Sequence, residues 1–113
     1  MAAKVSVETS VDGTGTIVPV QSLTTGSLPT VYAISRDASN NFVANVTADI
    51  WSLQNISGGL MPADLVPAAD NKSAVFMSHS EGSASISATS GSLTANSSGL
   101  ITVFSATGID EGN

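Results

Sequence analysis

Hydrophobic and polar residues alternate most regularly near the end of the chain. Between Ser83 and Thr89, alanine or isoleucine occupies every second position, and serine or threonine fills the positions between them. Successive side chains of a β-strand point to opposite faces of its sheet, so this period of two predicts a strand with one buried face. Ile101 and Val103 repeat the pattern, which predicts a further strand over residues 99–104.

Earlier hydrophobic runs predict the remaining strands. Each is rich in β-branched or aromatic residues and ends at a cluster of turn-forming residues. Residues 4–8 alternate and are predicted to form an edge strand, because charges at its two ends discourage further pairing. Residues 16–20 contain Pro19, which cannot donate to a β-ladder, so we expect a broken edge segment there. The other predicted strands cover residues 30–36, 47–54, 72–78 and 83–89, and Phe42 begins a short extended segment.

Trp51 lies in the run 47–54, the only run that carries a tryptophan. We predict that this run is the central strand and that the indole is the largest side chain of the core. Asp49 and Trp51 have the same parity, so perfect alternation would bury a carboxylate beside the indole. A β-bulge near Asp49 and Ile50 would shift the register by one residue and prevent this.

Residues 55–70 form the longest irregular region, with a one-turn helix expected around residues 62–65. Strands that recur about every ten to fifteen residues without a long helix predict a β-sandwich of about seven strands. The predicted core consists of Val31, Ala33, Trp51, Leu53, Phe76, Ala84, Ile86, Ala88, Ile101 and Val103.

The composition excludes several classes of partner. The formal net charge is −6, and the only cations are Lys4, Arg36 and Lys72. Binding to phosphates requires several clustered Lys or Arg residues, so we expect no nucleic acid and no anionic membrane as a partner. No run approaches the roughly 20 apolar residues of a membrane span, so no membrane insertion is expected. The lack of cysteine excludes disulfides and thiolate metal sites.

Three motifs follow one another in a familiar order. They are residues 31–43 (VYAISRDASNNFV), residues 50–53 (IWSL) and residues 82–93 (GSASISATSGSL). Together they resemble bacterial immunoglobulin-like domains of the Big and invasin/intimin type, in which a strand ends in Asp-x-x-x-Asn, the next carries Trp-Ser, and Gly-x-Ala-x-Ile-x-Ala follows later. One departure is an extra residue before Trp51.

The resemblance implies an immunoglobulin-like Greek-key sandwich over residues 4–105, preceded by an expression start (1–3) and followed by a C-terminal linker (106–113). Such domains usually occur in tandem in secreted or surface proteins and mostly act as spacers or adhesive modules. We therefore expect a non-catalytic structural or adhesion module of a larger bacterial protein. It would be extracellular or at the cell surface, with its secretion signal outside this chain. The expected partners are neighbouring domains and a protein or glycan ligand.

His79 is the only histidine and therefore the only candidate base for a serine nucleophile. Serine is so abundant that a neighbouring hydroxyl carries no information, so we expect no catalytic residue and no enzymatic activity. Paired carboxylates could also hydrolyse glycosides, but they are scattered over different loops. These carboxylates are Asp12, Asp37, Asp49, Asp64, Asp70 and Glu81.

Calcium is the one ion that the loop residues suggest, because Ca²⁺ prefers carboxylate and amide oxygens. No Asp-x-Asp-x-Asp-Gly loop occurs, and Asp and Asn are also ordinary turn formers. We therefore expect no metal and no cofactor, with Ca²⁺ as the alternative. The candidate ligands are Asp12, Asp37, Asn40, Asn41, Asp64 and Asp70.

Two other functions are compatible with the sequence. An accessory carbohydrate-binding module of a secreted polysaccharide hydrolase would need exposed aromatic rings to stack on sugars, for which Tyr32 and Phe42 are the candidates. A strand-exchanging assembly subunit of an extracellular fibre would pair through an edge segment, either 4–8 or 16–20.

Overall fold

The computed structural model describes residues 2–104, which form two β-sheets packed on each other. This confirms the predicted all-β fold with the layers of a β-sandwich, whereas the predicted linker 106–113 lies outside the described residues. No helix in the described chain is long and apolar enough to cross a membrane. The elements are β1 (Lys4–Glu8), β2 (Gln21–Thr24), β3 (Thr30–Arg36), β4 (Phe42–Asn45), β5 (Ile50–Gly58), a 3₁₀ helix (Pro62–Asp64), β6 (Leu65–Pro67), β7 (Ser73–Phe76), β8 (Gly82–Thr89), β9 (Thr94–Asn96) and β10 (Ile101–Phe104).

Sheet A has the strand order β6-β7-β3-β1-β9, and β4 also pairs with β3. β1 is antiparallel to β3 on one side and parallel to β9 on the other. Beyond β9, the Val18 N–H donates to the Val7 carbonyl at 2.9 Å. The prediction that residues 4–8 form an edge strand is therefore wrong, because the stretch between β8 and β10 supplies β9 as an unforeseen neighbour.

Sheet B has the strand order β2-β10-β8-β5. β10 lies between β2, to which it is parallel, and β8, to which it is antiparallel. Among the described residues β5 pairs only with β8 and is an edge strand, so the prediction of a central strand for the Trp51 run is wrong. Residues 16–20 form a bridge from Ile17 to Glu8 and backbone hydrogen bonds at Thr16 and Val18, and the regular strand β2 begins after Pro19, at Gln21.

A register shift does occur in β5, but not near Asp49. The pairing with β8 is regular from Ile50 to Gln54, and then Asn55 and Ile56 together stand against the single residue Ala84. Asn55 has a φ of 55°, a left-handed conformation that asparagine tolerates better than most residues. No bulge is needed at Asp49, because this exposed residue precedes the strand and its carboxylate accepts a hydrogen bond from the Gly91 N–H.

The core lies between the two sheets and contains most of the residues predicted for it. Trp51 is the exception, since it is only partly buried at the margin of the core. Its Nε1–H donates to the Asn71 carbonyl at 2.9 Å. An edge strand has no neighbour to cover a large ring, and the indole N–H requires a partner. Phe76 is the largest fully buried side chain instead. The predicted residues that are buried are Val31, Ala33, Leu53, Phe76, Ala84, Ile86, Ala88, Ile101 and Val103.

We expect Phe76→Ala to lower the free energy of unfolding by about 3–5 kcal/mol, because it leaves a cavity where a fully buried ring was packed. Phe104→Ala is the matched control, since 54% of the Phe104 side chain is exposed. Its effect should stay within about 0.5 kcal/mol, as for most surface substitutions. Urea unfolding measures both, and equal losses for the two variants would contradict the placement of Phe76.

Candidate functional site

His79 approaches an acidic side chain but lacks a nucleophile. Its Nδ1 lies 2.8 Å from Oδ1 of Asp64, which is buried, whereas the imidazole is largely exposed. The other carboxylate oxygen of Asp64 accepts a hydrogen bond from the Met61 N–H at 2.8 Å and so closes the 3₁₀ turn. Within residues 2–104, no serine or threonine hydroxyl forms a hydrogen bond with the imidazole. The pair therefore resembles the base and orienting acid of a triad without the group that attacks.

The candidate calcium ligands are used by their own turns. Oδ1 of Asp37 accepts hydrogen bonds from the N–H groups of Asn41 (2.8 Å) and Ser39 (2.9 Å). Oδ1 of Asp12 accepts from the hydroxyl and the N–H of Thr14. The Asn41 hydrogen bonds lower the pKa of Asp37, and the Thr14 hydroxyl lowers the pKa of Asp12. These bonds explain the acidic turn residues without a bound ion.

The candidate carboxylates lie apart from one another in the described part of the chain. In the described part of the chain, no three acidic or histidine side chains are close enough to hold a metal ion. Asp70 accepts a hydrogen bond from the Lys72 N–H, and Asp64 lies apart beside His79. The loops that carry Asp12 and Asn40 do approach each other, but the Arg36 guanidinium binds the carbonyls of Gly13 and Asn40 between them. A positive charge at that point opposes Ca²⁺ binding.

The ion pair between Glu8 and Arg36 is the most strongly buried charged group of the described domain. The Arg36 Nε lies 2.6 Å from Oε2 of Glu8, and a terminal nitrogen of Arg36 lies 2.8 Å from Oε1. The Glu8 side chain is 2% exposed and that of Arg36 11%. The hydrogen bonds to Glu8 raise the pKa of Arg36. Sequence reasoning missed this pair, since no local pattern connects two residues that are 28 positions apart.

The ion pair lines a cavity of about 410 Å³. The other polar groups facing it include the Gly13 and Asn40 loops, whose carbonyls already accept hydrogen bonds from the guanidinium. Both oxygens of Glu8 are likewise occupied by Arg36. The charges in this cavity are therefore paired with each other, which suits a structural clamp between three segments better than a ligand site.

The two candidate sugar-binding aromatics do not form a platform. Phe42 stands opposite Arg36, and Tyr32 lies four residues earlier on β3, about 13 Å away at the usual rise of a strand. Phe42 is 42% exposed, but one face of its ring rests on Gly13, where a Cβ would lie 2.5 Å from Cγ of the ring. Two isolated rings, one of them half covered, cannot stack on adjacent sugar units.

A second cavity, of about 600 Å³, opens near the start of β8. Its walls include Gly58, Gly59 and Gly82, and Glu81 is the only ionisable residue that lines it. The hydroxyls of Ser57 and Ser83 lie 2.6 Å apart and satisfy each other. A single carboxylate among glycines and paired hydroxyls offers no second group for acid–base chemistry.

Arg36→Met should lower the free energy of unfolding by about 3–5 kcal/mol, because it leaves the Glu8 carboxylate buried without a counter-ion. The double variant Glu8→Leu/Arg36→Met is the control, since it removes both charges and should recover much of that loss. Chemical denaturation at neutral pH compares the two. A loss within about 0.5 kcal/mol for the single variant would show that water reaches the pair.

Asp37→Asn should be less stable than the parent chain at neutral pH but equally stable in acid. A lowered pKa means that the ionised carboxylate stabilises the folded chain above its ordinary value of 3.8, and that this contribution is lost as the pH falls through the lowered pKa. Urea unfolding of both chains from about pH 7 to about pH 2 measures the difference. A difference that persists at the acidic end would contradict this origin.

No protein-family model matches the chain, and a search of curated protein sequences finds no significant match. Inference about function therefore depends on strand order, on the positions of the strand ends and on the contacts of individual side chains.

Proposed function

We propose that this chain is an immunoglobulin-like, non-catalytic module that acts as a rigid spacer or adhesive unit within a longer extracellular bacterial protein. Its partners would be neighbouring domains of the same polypeptide. The bacterial source and the location outside the cell rest on the resemblance of three sequence motifs. The architecture and the mechanical role rest on the strand order and on the positions of the first and last strands.

Strand order supports the immunoglobulin-like assignment. One sheet contains the series β1-β3-β7-β6, and the other contains β5-β8-β10. An immunoglobulin sandwich has the orders A-B-E-D and C-F-G, which these series match in chain order. β2, which follows β1 and pairs in parallel with β10, corresponds to a first strand that is divided between the two sheets.

The positions of the first and last strands carry the proposal of a spacer. β1 begins beside the end of β3, where Lys4 faces Arg36. β10 ends beside Thr24, and hydrogen bonds from Gly26 to Ser78 and from Phe76 to Pro29 hold this end next to the start of β3. The first strand thus starts at one pole of the sandwich and the last described strand ends at the opposite pole. Neighbouring domains joined at these two points would form a linear array.

The pairing of β2 with β10 suits such an array to bearing tension. The two strands are parallel over four residue pairs, from Gln21 with Ile101 to Thr24 with Phe104. Tension between the poles would enter the domain through β1 and β10, and it would pull β10 along its axis past β2. Hydrogen bonds in a sheet lie across the strands, so several would have to break together rather than one after another.

Gln21→Pro should lower the force needed to unfold the domain in single-molecule stretching of a tandem array. The Gln21 N–H donates to the Leu100 carbonyl at 3.2 Å, and proline has no N–H to donate. Loss of one backbone hydrogen bond should also lower the free energy of unfolding by about 0.5–1.5 kcal/mol.

Ser22→Pro is the matched control. The N–H groups of Gln21 and Thr25 both donate to the β10 side, so alternation along the strand directs that of Ser22 to solvent. This variant should unfold at nearly the force of the parent chain. Equal unfolding forces for both proline variants, with both folded by circular dichroism, would contradict the load-bearing role of the β2–β10 pair.

A further inference from the structure

The free strand edges of the described domain are protected unequally. β6 and β9 have three residues each, and β2 and β4 have four. β6 also ends at Pro67, and the pairing of β4 with β3 is interrupted by a register shift. Short length, proline and irregular pairing are the usual means by which a sheet edge is kept from pairing with another chain.

β5 lacks these protections over its first half. It is the longest strand, with nine residues, and contains neither an ionisable side chain nor proline. Its regular part runs for five residues, from Ile50 to Gln54, and ends at the bulge of Asn55 and Ile56. On the side away from β8, none of the described residues forms a backbone hydrogen bond with this five-residue stretch. A regular, uncharged edge of this kind is a template for strand addition.

We propose that two copies of this chain associate through this edge, with residues 50–54 of each copy paired antiparallel about a two-fold axis at Ser52. The bulge sets the register, because centring on Ser52 is the only two-fold arrangement that pairs all five regular residues. Ile50 then faces the second copy's Gln54 on the outer face, and Trp51 faces the second copy's Leu53 on the inner face. The second copy's Leu53 would then bury more of the half-exposed Trp51 indole. The apolar layer between the sheets would in this way continue across the dimer interface.

Charge favours the antiparallel arrangement. Asp49, which directly precedes the strand, is its nearest ionisable group. With the axis at Ser52, each Asp49 stands opposite the second copy's Asn55, so the two carboxylates lie at opposite ends of the joint. A parallel arrangement would place them side by side, where like charges destabilise a sheet. A two-fold contact uses the same surface on both copies and therefore closes at a dimer instead of growing into a fibre.

Sedimentation equilibrium of the full chain at concentrations up to about 1 mM tests the proposal, since the dissociation constant of a strand-edge contact can be as high as about 1 mM. We expect a monomer–dimer equilibrium and a blue shift of Trp51 emission as the dimer forms. Moderate salt should strengthen association, because each copy carries a net charge of −6. A chain that remains monomeric over this range, with constant emission, would overturn the proposal.

A pair of double variants tests the register. Ile50→Lys/Gln54→Lys places like charges opposite each other and should weaken dimerisation by more than about tenfold. Ile50→Lys/Gln54→Glu places opposite charges in the same positions and should retain it. Both side chains are exposed, so both variants should fold, as circular dichroism can verify. If both variants lose dimerisation equally, the proposed register is wrong. If the Ile50→Lys/Gln54→Lys variant still dimerises, the contact does not involve the β5 edge.

Val66→Lys on β6 is the control for added charge alone. Val66 is 44% exposed on the edge strand of the other sheet. We expect its dimerisation constant to stay within about twofold of the parent value, apart from a small gain through the lower net charge. Loss of the dimer in this variant would place the contact on sheet A and overturn the proposal.

Discussion

Close approach of the two sheets over small side chains is the constraint on which the rest of this domain depends. Ala84, Ile86 and Ala88 of β8 are buried in the core, as are Val5 and Val7 of β1. β1 belongs to the opposite sheet and contacts β8 directly. Aromatic residues make up only 4% of the chain, so no layer of large rings separates the sheets. A core of small, tightly packed side chains has little free volume, and errors of even one methylene are felt. Phe76 is the one aromatic ring that this core fully encloses, and the larger indole of Trp51 lies at its margin.

Local alternation predicted the strands that this core requires and little beyond them. Residues 4–8 and 30–36 are strands with the bounds that their patterns indicate. The alanine–isoleucine face of β8 is buried as predicted, but Ser85 and Ser87 on its other face are buried as well, so the strand does not have a single buried face. The short strands β2, β6 and β9 were not foreseen, because each exists through a partner far away in the sequence rather than through its own pattern. Trp51 shows the same limit: its side chain predicts burial, but the number of neighbouring strands decides how much is achieved.

Polar side chains at the candidate sites form hydrogen bonds and ion pairs within the fold, and residue type alone could not predict these partners. Asp12 and Asp37 are equally compatible with a calcium ligand and a turn cap until their N–H partners are seen. Arg36 lies opposite Lys4, whereas Glu8 lies opposite Tyr32. Their side chains must therefore span the intervening pair of Ser6 and Ile34, both of which are buried. The ion pair thus covers the outer face of sheet A, and its cost of desolvation is met by four hydrogen bonds of the guanidinium.

In the proposed function and association, tension along the module and contact between modules would act on different strands of sheet B. β2 and β5 are its two outer strands, with β10 and β8 between them. Tension between the poles would act on the β2–β10 pair, whereas a second copy would add to β5 at the far side of the sheet. Pairing through β5 therefore leaves the load-bearing hydrogen bonds and both poles accessible. Arrays joined end to end at their poles could in this way also associate side by side, and the bulge at Asn55 would limit each lateral contact to five residues.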